Sequence, residues 1–402
     1  MGHLTQTSYY RLKPAQPSRR LSHNLLLMEQ AEEGQGLTAL LHWNALMVTV
    51  CLSLALAGVH LITQKLDYQS LAAMLVLIAI ALALLVTSAD FFIEGARSLA
   101  KRAGIAEVVI GLTIVSIGTS LPEILVTGTA ALNSTDDPAL MDMAIGNIYG
   151  SVLVQITLIL GIVVLFKPLN IRPNWLRRDG LLMLAAVVLL SVLLLQGRGL
   201  TRLEGGLLVS LYVCYIVWLL RNKDRIREDE LELVDDLKST EYGWTTVASL
   251  VMVVLGLTMA VYAASHLVKH ASELALMLNV PHVIVGTTIS GLGTSLPELT
   301  VALMAAKKSQ GVAIGTLVGS NITDPLLSIG IAAMINPLTI SAASYDLIAY
   351  LIIPATILGV CFCLAMMWTD FEFQRWEGGV LIGFYLFFLV LLEMQRQGFL
   401  AL

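Results

Sequence analysis

Long apolar stretches, separated by short polar ones, fill most of this chain. They fall at roughly 39–63, 70–95, 105–132, 140–166, 180–196, 205–220, 245–268, 280–306, 312–335, 346–368 and 378–394. A helix needs about twenty apolar residues to cross a bilayer, and most of these stretches approach that length. The pattern therefore predicts eleven transmembrane helices. The most polar internal stretch, "RNKDRIREDELELVDDLKSTEYGW" at 221–244, divides the chain near its middle. It reads as a solvated connection. The polar residues 1–37 read as a tail, and the apolar stretch behind them is too long and too far from the start for a secretory signal. It is taken as a true span within 38–66.

Composition narrows the class. Of the 402 residues, 57% are hydrophobic and 13% charged, about half the charged share of a soluble domain, and the mean hydropathy is +0.80. The fold class predicted is an all-α polytopic membrane protein, with the lipid bilayer as partner and no nucleic acid. Cys51, Cys214, Cys361 and Cys363 all lie in apolar stretches and read as buried small hydrophobes. With the 1–37 tail on one side of the membrane, 19 of the 24 Lys and Arg residues share that side and 5 lie opposite. Basic residues collect on the cytoplasmic side. This puts the N-terminus and the linker in the cytoplasm and the C-terminal tail at 396–402 outside, for a protein of the cell membrane.

The two halves are related. Residues 111–126 overlay 286–301 with ten of sixteen positions identical. "GNIYGS" (146–151) matches "GTLVGS" (315–320), "KPLNI" (167–171) matches "NPLTI" (336–340), and "RLEGG" (202–206) matches "RWEGG" (375–379). Each unit holds five predicted helices, 67–220 and 245–395. Five is odd, so the second unit enters the membrane from the opposite side. The expected architecture is a ten-helix core of two inverted five-helix repeats plus one extra N-terminal helix, a plan used by transporters that bind near the membrane midplane.

The hexapeptide GTSLPE occurs in both units, at 118–123 and 293–298. Proline removes a backbone donor and crowds the carbonyl four residues back, here Gly118 and Gly293. Carbonyls freed inside a bilayer need a partner other than lipid, and a cation is one. Glu123 and Glu298 follow directly. An intramembrane carboxylate is costly and marks a candidate site, the more so when it recurs at matching places.

A second constellation lies on the following helix of each unit. Asn147, Ser151 and Gln155 are spaced by four, as are Thr316, Ser320 and Asp324, which lines polar side chains along one helix face. The gathered donors are the carboxylates of Glu123, Glu298 and Asp324, the hydroxyls of Thr119, Ser120, Thr294, Ser295, Ser151 and Ser320, the Gln155 amide, and the carbonyls around Ser116 and Gly291. Such a hard-oxygen set suits Ca²⁺ or Na⁺ over zinc or copper. Two ions competing for it would be exchanged, with no cofactor needed.

The stretches "GLTIVSIGTSLPE" with "GNIYGS", and "GTTISGLGTSLPE" with "GTLVGSNITD", resemble the α-1 and α-2 repeats of the sodium/calcium exchanger branch of the calcium/cation antiporter superfamily. They fall at 105–161 and 280–330. The resemblance implies Ca²⁺ export against Na⁺ entry by alternating access. It matches the family's repeat glutamates to Glu123 and Glu298 and its hydroxyl ligands to Thr119, Ser120, Thr294 and Ser295, with Glu123, Glu298, Thr119 and Thr294 holding the metal. Its later polar pair falls on Ser151 with Gln155 and on Ser320 with Asp324. The chain departs from the family at Val152, Gln155 and Thr316, and in its extra first helix. A proton-driven Ca²⁺ antiporter is the alternative, since carboxylates also carry protons. An intramembrane hydrolase is a remote one, because no HExxH or GxSxG motif is present. The transporter, not an enzyme, is expected to work as a monomer.

Overall fold

The structure, a computed structural model, describes residues 43–66, 70–102, 116–135, 137–171, 173–222, 245–308, 310–369 and 371–399. The 1–37 tail, residues 223–244 of the linker, the opening of the first GTSLPE segment at 105–115 and residues 400–402 lie outside them, as does the side chain of Ser116.

Two long helices form one wall. Helix α2, Leu71–Arg102, and helix α8, Thr246–Leu278, pack along each other. The Thr245 hydroxyl accepts the Ala248 N–H at 3.2 Å to start α8, and Asn279 ends it in a left-handed conformation at φ 51°. Both are familiar ways of satisfying orphan backbone groups at helix ends. Helix α1, Trp43–Leu66, lies against α2. Leu56, Leu77, Leu84, Ala264 and Leu267 are among the residues of their shared apolar core, which Val126, Ala130 and Met143 extend toward the centre of the molecule.

The remaining elements recur in the same order in each half. The first half has α3, Ser116–Thr119; α4, Leu121–Asn133; and α5, Ala139–Val154, carried through a π turn at Gln155–Ile159 into Leu160–Phe166. It continues with β1, Leu169–Asn170; α6, Leu176–Gly197; β2, Gly199–Leu200; and α7, Arg202–Arg221. In the second half α9, His282–Val285, leads through a π turn at Gly286–Ser290 into α10, Gly291–Thr294, and then α11, Leu296–Lys308. Next come α12, Gln310–Thr323, carried through a π turn at Asp324–Ser328 into Ile329–Ile335, and β3, Leu338–Thr339. Helix α13, Ala342–Trp368, β4, Glu372–Phe373, and α14, Arg375–Arg396, complete it.

The halves interlock. Strand β1 pairs antiparallel with β4, and β2 with β3, so each P-L-x-I stretch pairs with residues just ahead of the other half's R-x-E-G-G. That motif has two local jobs. Glu204 and Glu377 complete capping boxes with Thr201 and Gln374. The first glycine then allows close packing: a Cβ on Gly205 would sit 2.7 Å from the Gly330 carbonyl, and one on Gly378 equally close to that of Gly161.

Eight helical runs among the described residues are long and apolar enough to cross a membrane, and a shorter apolar stretch, Met47–Ile62, lies in α1. Sequence pattern predicts one span each at 105–132 and 280–306, with a break in the helix at GTSLPE. The helix stops and restarts inside both, at Ser120 and Ser295, leaving 13-residue α4 and α11. The cysteines differ from expectation. Cys363 is buried, whereas Cys51, Cys214 and Cys361 are exposed on the outer surface, where lipid accepts a small apolar side chain as well as a core does.

Candidate cation site

The breaks at Ser120 and Ser295 place the two glutamates. Ser120 has φ −79°, ψ 4° and Ser295 has φ −85°, ψ 7°, the bridge conformation that ends one helix without starting a sheet. Pro122 and Pro297 then fall in the first turn of α4 and α11, where a missing N–H does no harm. Glu123 and Glu298 are in those same first turns. There the aligned peptide dipoles and free N–H groups favour negative charge. The proline thus begins a helix and does not merely kink one. In keeping with this, the Gly291 carbonyl, expected to be free, accepts the Ser295 N–H at 3.3 Å and the Ser151 and Thr294 hydroxyls at 3.4 Å.

Glycines bring α5 against the second broken segment. A Cβ on Gly150 would lie 2.2 Å from the Thr287 carbonyl oxygen, and one on Gly146 would lie 2.5 Å from that of Val283. With the backbones this close, Ser151 Oγ lies 3.2 Å from Thr294 Oγ1. The mirrored pair, Thr119 Oγ1 and Ser320 Oγ, is 3.4 Å apart. Each threonine of GTSLPE therefore meets the serine carried by the other half.

The carboxylates close the network. Ser295 donates to Glu123 Oε1 at 3.2 Å and Ser320 to Glu298 Oε1 at 3.3 Å. Gln155 Nε2 donates to Ser295 Oγ at 3.2 Å and to Asp324 Oδ2 at 3.3 Å. Thr294 lies within reach of Glu123, and Thr119 within reach of Glu298. Glu123, Glu298, Asp324, Gln155, Ser151, Ser320, Thr119, Ser120, Thr294 and Ser295 are all 0% exposed. The structure gathers every one of these predicted residues into one buried region.

These contacts are long for O–H···O bonds, which centre near 2.7–2.8 Å, and they leave oxygens over. Glu123 Oε2, Glu298 Oε2 and Gln155 Oε1 are buried acceptors without a donor. Among the described residues, no three His, Cys, Asp or Glu side chains converge to hold a metal by themselves. A cation here would have to share carboxylate, hydroxyl and amide oxygens, as hard cations readily do.

Three contributors escape a reading of the sequence. Ser290 donates to Asn147 Oδ1 at 2.6 Å. Ser328 donates to Asp324 Oδ1 at 3.3 Å. Thr127 donates to the Glu123 carbonyl at 2.7 Å and reaches the Ser328 carbonyl at 3.4 Å. A signal existed for two of them: Ser328 continues the spacing of four beyond Asp324, and Ser290 precedes Thr294 by four.

Known proteins resemble this chain in sequence and fold. A family model described as sodium/calcium exchanger protein matches residues 73–221 and 248–393. The sodium/calcium exchanger MaX1 of Methanosarcina acetivorans is 31% identical over 349 residues, covering 79% of this chain and 97% of the relative. Inner membrane protein YrbG of Escherichia coli is 34% identical over 274 residues, 67% of this chain and 82% of the relative. A solved structure of the sodium-calcium exchanger NCX_Mj, soaked with Na⁺ and Ca²⁺, superposes with a TM-score of 0.52 at 27% identity, covering 77% of this chain and 95% of that one. Helix α1 lies before the family match begins.

Proposed function

The chain belongs to the sodium/calcium exchanger family, and on that premise we propose that it exports Ca²⁺ in exchange for entering Na⁺ by alternating access. A member of this family is a multi-pass membrane protein and a cation antiporter, not an enzyme. The observation that carries the finer reading is the trio of buried, donorless acceptors, Glu123 Oε2, Glu298 Oε2 and Gln155 Oε1. A buried polar group left unsatisfied costs about 1–3 kcal/mol, more when charged. A cation among the three relieves that cost.

In this reading Glu123 and Glu298 are shared ligands, assisted by Thr119, Thr294, Ser120, Ser295, Ser151, Ser320, Asp324 and Gln155. Oxygens committed to Na⁺ cannot hold Ca²⁺ at the same time, so the two fluxes are coupled by competition. The repeats at 67–220 and 245–395 run in opposite directions, and the cage opens alternately to either side as one part of the core moves against the other. The N-terminus and linker face the cytoplasm of the cell membrane, and a single chain suffices.

The driving ion is tested in reconstituted vesicles by uptake of radiolabelled calcium. Uptake driven by an outward Na⁺ gradient is expected. Uptake driven by a pH gradient alone would make the protein a proton-coupled Ca²⁺ antiporter and overturn the Na⁺ assignment.

A further inference from the structure

Asn147 lies one turn ahead of Ser151 on α5 and is 0% exposed. The two polar atoms of its amide fare differently. Oδ1 accepts the Ser290 hydroxyl at 2.6 Å and lies 3.5 Å from Thr294 Oγ1. Nδ2 finds no acceptor among the described residues. A buried donor left unpaired is uncommon in native proteins and calls for an explanation. Packing does not supply one, since leucine has nearly the same branched shape and no polar atom to strand. The repeat does not demand an amide either. The matching position in the second half is Thr316, and Ser290 is matched by Val115 in the first. What remains to account for the asparagine is its oxygen.

That oxygen has a use beside a cation. A hydroxyl offers its lone pairs to a metal only while its proton points elsewhere. Thr294 has four neighbours able to take the proton. Glu123 lies within reach, but its carboxylate is itself a ligand in the cage. Ser151 Oγ, at 3.2 Å, is another hydroxyl with the same need. The Gly291 carbonyl, at 3.4 Å, already accepts the Ser295 N–H and the Ser151 hydroxyl. Asn147 Oδ1 is a neutral acceptor with no place among the ligands, and the short Ser290 contact fixes its direction. Its separation from Thr294 is long for a hydrogen bond, which leaves the hydroxyl able to turn between Glu123 and Asn147.

We propose that Asn147, held by Ser290, is a positioning residue of the cation cage. Without a cation the Thr294 hydroxyl donates to Glu123. When a cation binds between them, the proton turns to Asn147 Oδ1 and the Thr294 oxygen faces the ion. Asn147 thus raises the affinity of the cage without touching its cargo. The inference rests on the reading of Glu123 and Thr294 as ligands.

Equilibrium binding of radiolabelled Ca²⁺ to the purified protein tests it. Asn147→Leu should weaken binding about tenfold. Its melting temperature in calcium-free detergent should stay close to the native one, because the stranded Nδ2 donor disappears as the Ser290 hydroxyl loses its acceptor. Thr294→Val should weaken binding by itself. Adding Asn147→Leu to it should then change the affinity less than about twofold, since residues acting through one contact are not additive. Ser290→Ala, a smaller change at the other side of the amide, should weaken binding about threefold, and it carries the test if Asn147→Leu does not fold. An equal loss with and without the Thr294 hydroxyl would overturn the role given to Asn147. So would a lower melting temperature with native affinity in Asn147→Leu and Ser290→Ala. The coupled loss in a protein that takes up no Ca²⁺ would uphold that role and refute the antiporter reading; a native chain that binds no Ca²⁺ would overturn both.

Discussion

Gln155 donates through Nε2 to Asp324 Oδ2 at 3.3 Å, and the two residues, 169 positions apart, occupy the same place in their respective halves. Equivalent positions of two copies related by a twofold axis meet on that axis, so in the proposed transport reading this bond lies at the centre of the cage. Gln155→Glu would set a second carboxylate against Asp324. Like charges this close, buried, disfavour the ionised pair strongly unless a cation sits between them. The variant should melt several degrees below the native protein in calcium-free detergent and recover on adding Ca²⁺, by a larger step than the native protein shows. Thermal unfolding with and without Ca²⁺ checks this. An equal Ca²⁺ step in both would mean Gln155 does not face the ion.

Glu123→Gln and Glu298→Gln remove a charge while keeping shape and hydrogen-bonding capacity. Either should cut Na⁺-driven Ca²⁺ uptake about a hundredfold, the loss expected when a ligand charge is removed from a desolvated site (about 2.7 kcal/mol). Both variants should remain monodisperse on size-exclusion chromatography. Uptake near the native rate in Glu298→Gln would end the shared-ligand idea.

Much of this centre is legible in the chain itself. GTSLPE appears twice, and the spacing of Asn147, Ser151 and Gln155 draws a polar line on one helix face. What the pattern hides is local geometry. The π turns at Gln155–Ile159 and Asp324–Ser328 interrupt the 3.6-residue period where the site residues begin, and hydropathy carries no trace of that change. The stop and restart at Ser120 and Ser295 is hidden too, because proline is compatible with a kink, a break or a first turn. The pairing of β1 with β4 and β2 with β3 joins stretches about two hundred or fewer residues apart, and matching motifs reveal kinship between halves without revealing which stretch touches which.

Asp324→Asn removes the charge and keeps one acceptor oxygen, which can serve Gln155 Nε2, while its NH2 meets the Ser328 hydroxyl as a donor to an oxygen that can also accept. Its expected effect is a change in the Na⁺ dependence of uptake, such as a lower apparent number of Na⁺ ions per cycle, with yield and melting temperature near native. Initial rates over a range of Na⁺ concentrations measure it. Reduced expression with unchanged Na⁺ dependence would make Asp324 a structural residue.

Gly150→Ala tests whether the close approach of α5 to the second broken segment builds the site. A Cβ there would lie 2.2 Å from the Thr287 carbonyl oxygen and 2.6 Å from its Cα. Both are backbone atoms, and Thr287 is buried in a π turn, so nothing flexible can swing aside. The helices must separate. Overfilling a packed interior typically costs about 1–3 kcal/mol, and a clash against backbone belongs at the upper end. Separation also pulls Ser151 from Thr294 and from the Gly291 carbonyl, contacts of only 3.2 and 3.4 Å. Stability and Ca²⁺ affinity should therefore fall together. Gly206→Ala is the control, since an added Cβ on that α7 residue meets nothing within 4 Å, and alanine favours a helix over glycine by roughly 0.5–1 kcal/mol. It should leave the melting temperature equal or raised and uptake unchanged. A Gly150→Ala protein that melts lower yet binds Ca²⁺ as the native chain does would show that the glycine serves packing alone, and that the oxygens around Glu123 and Glu298 hold their geometry without it.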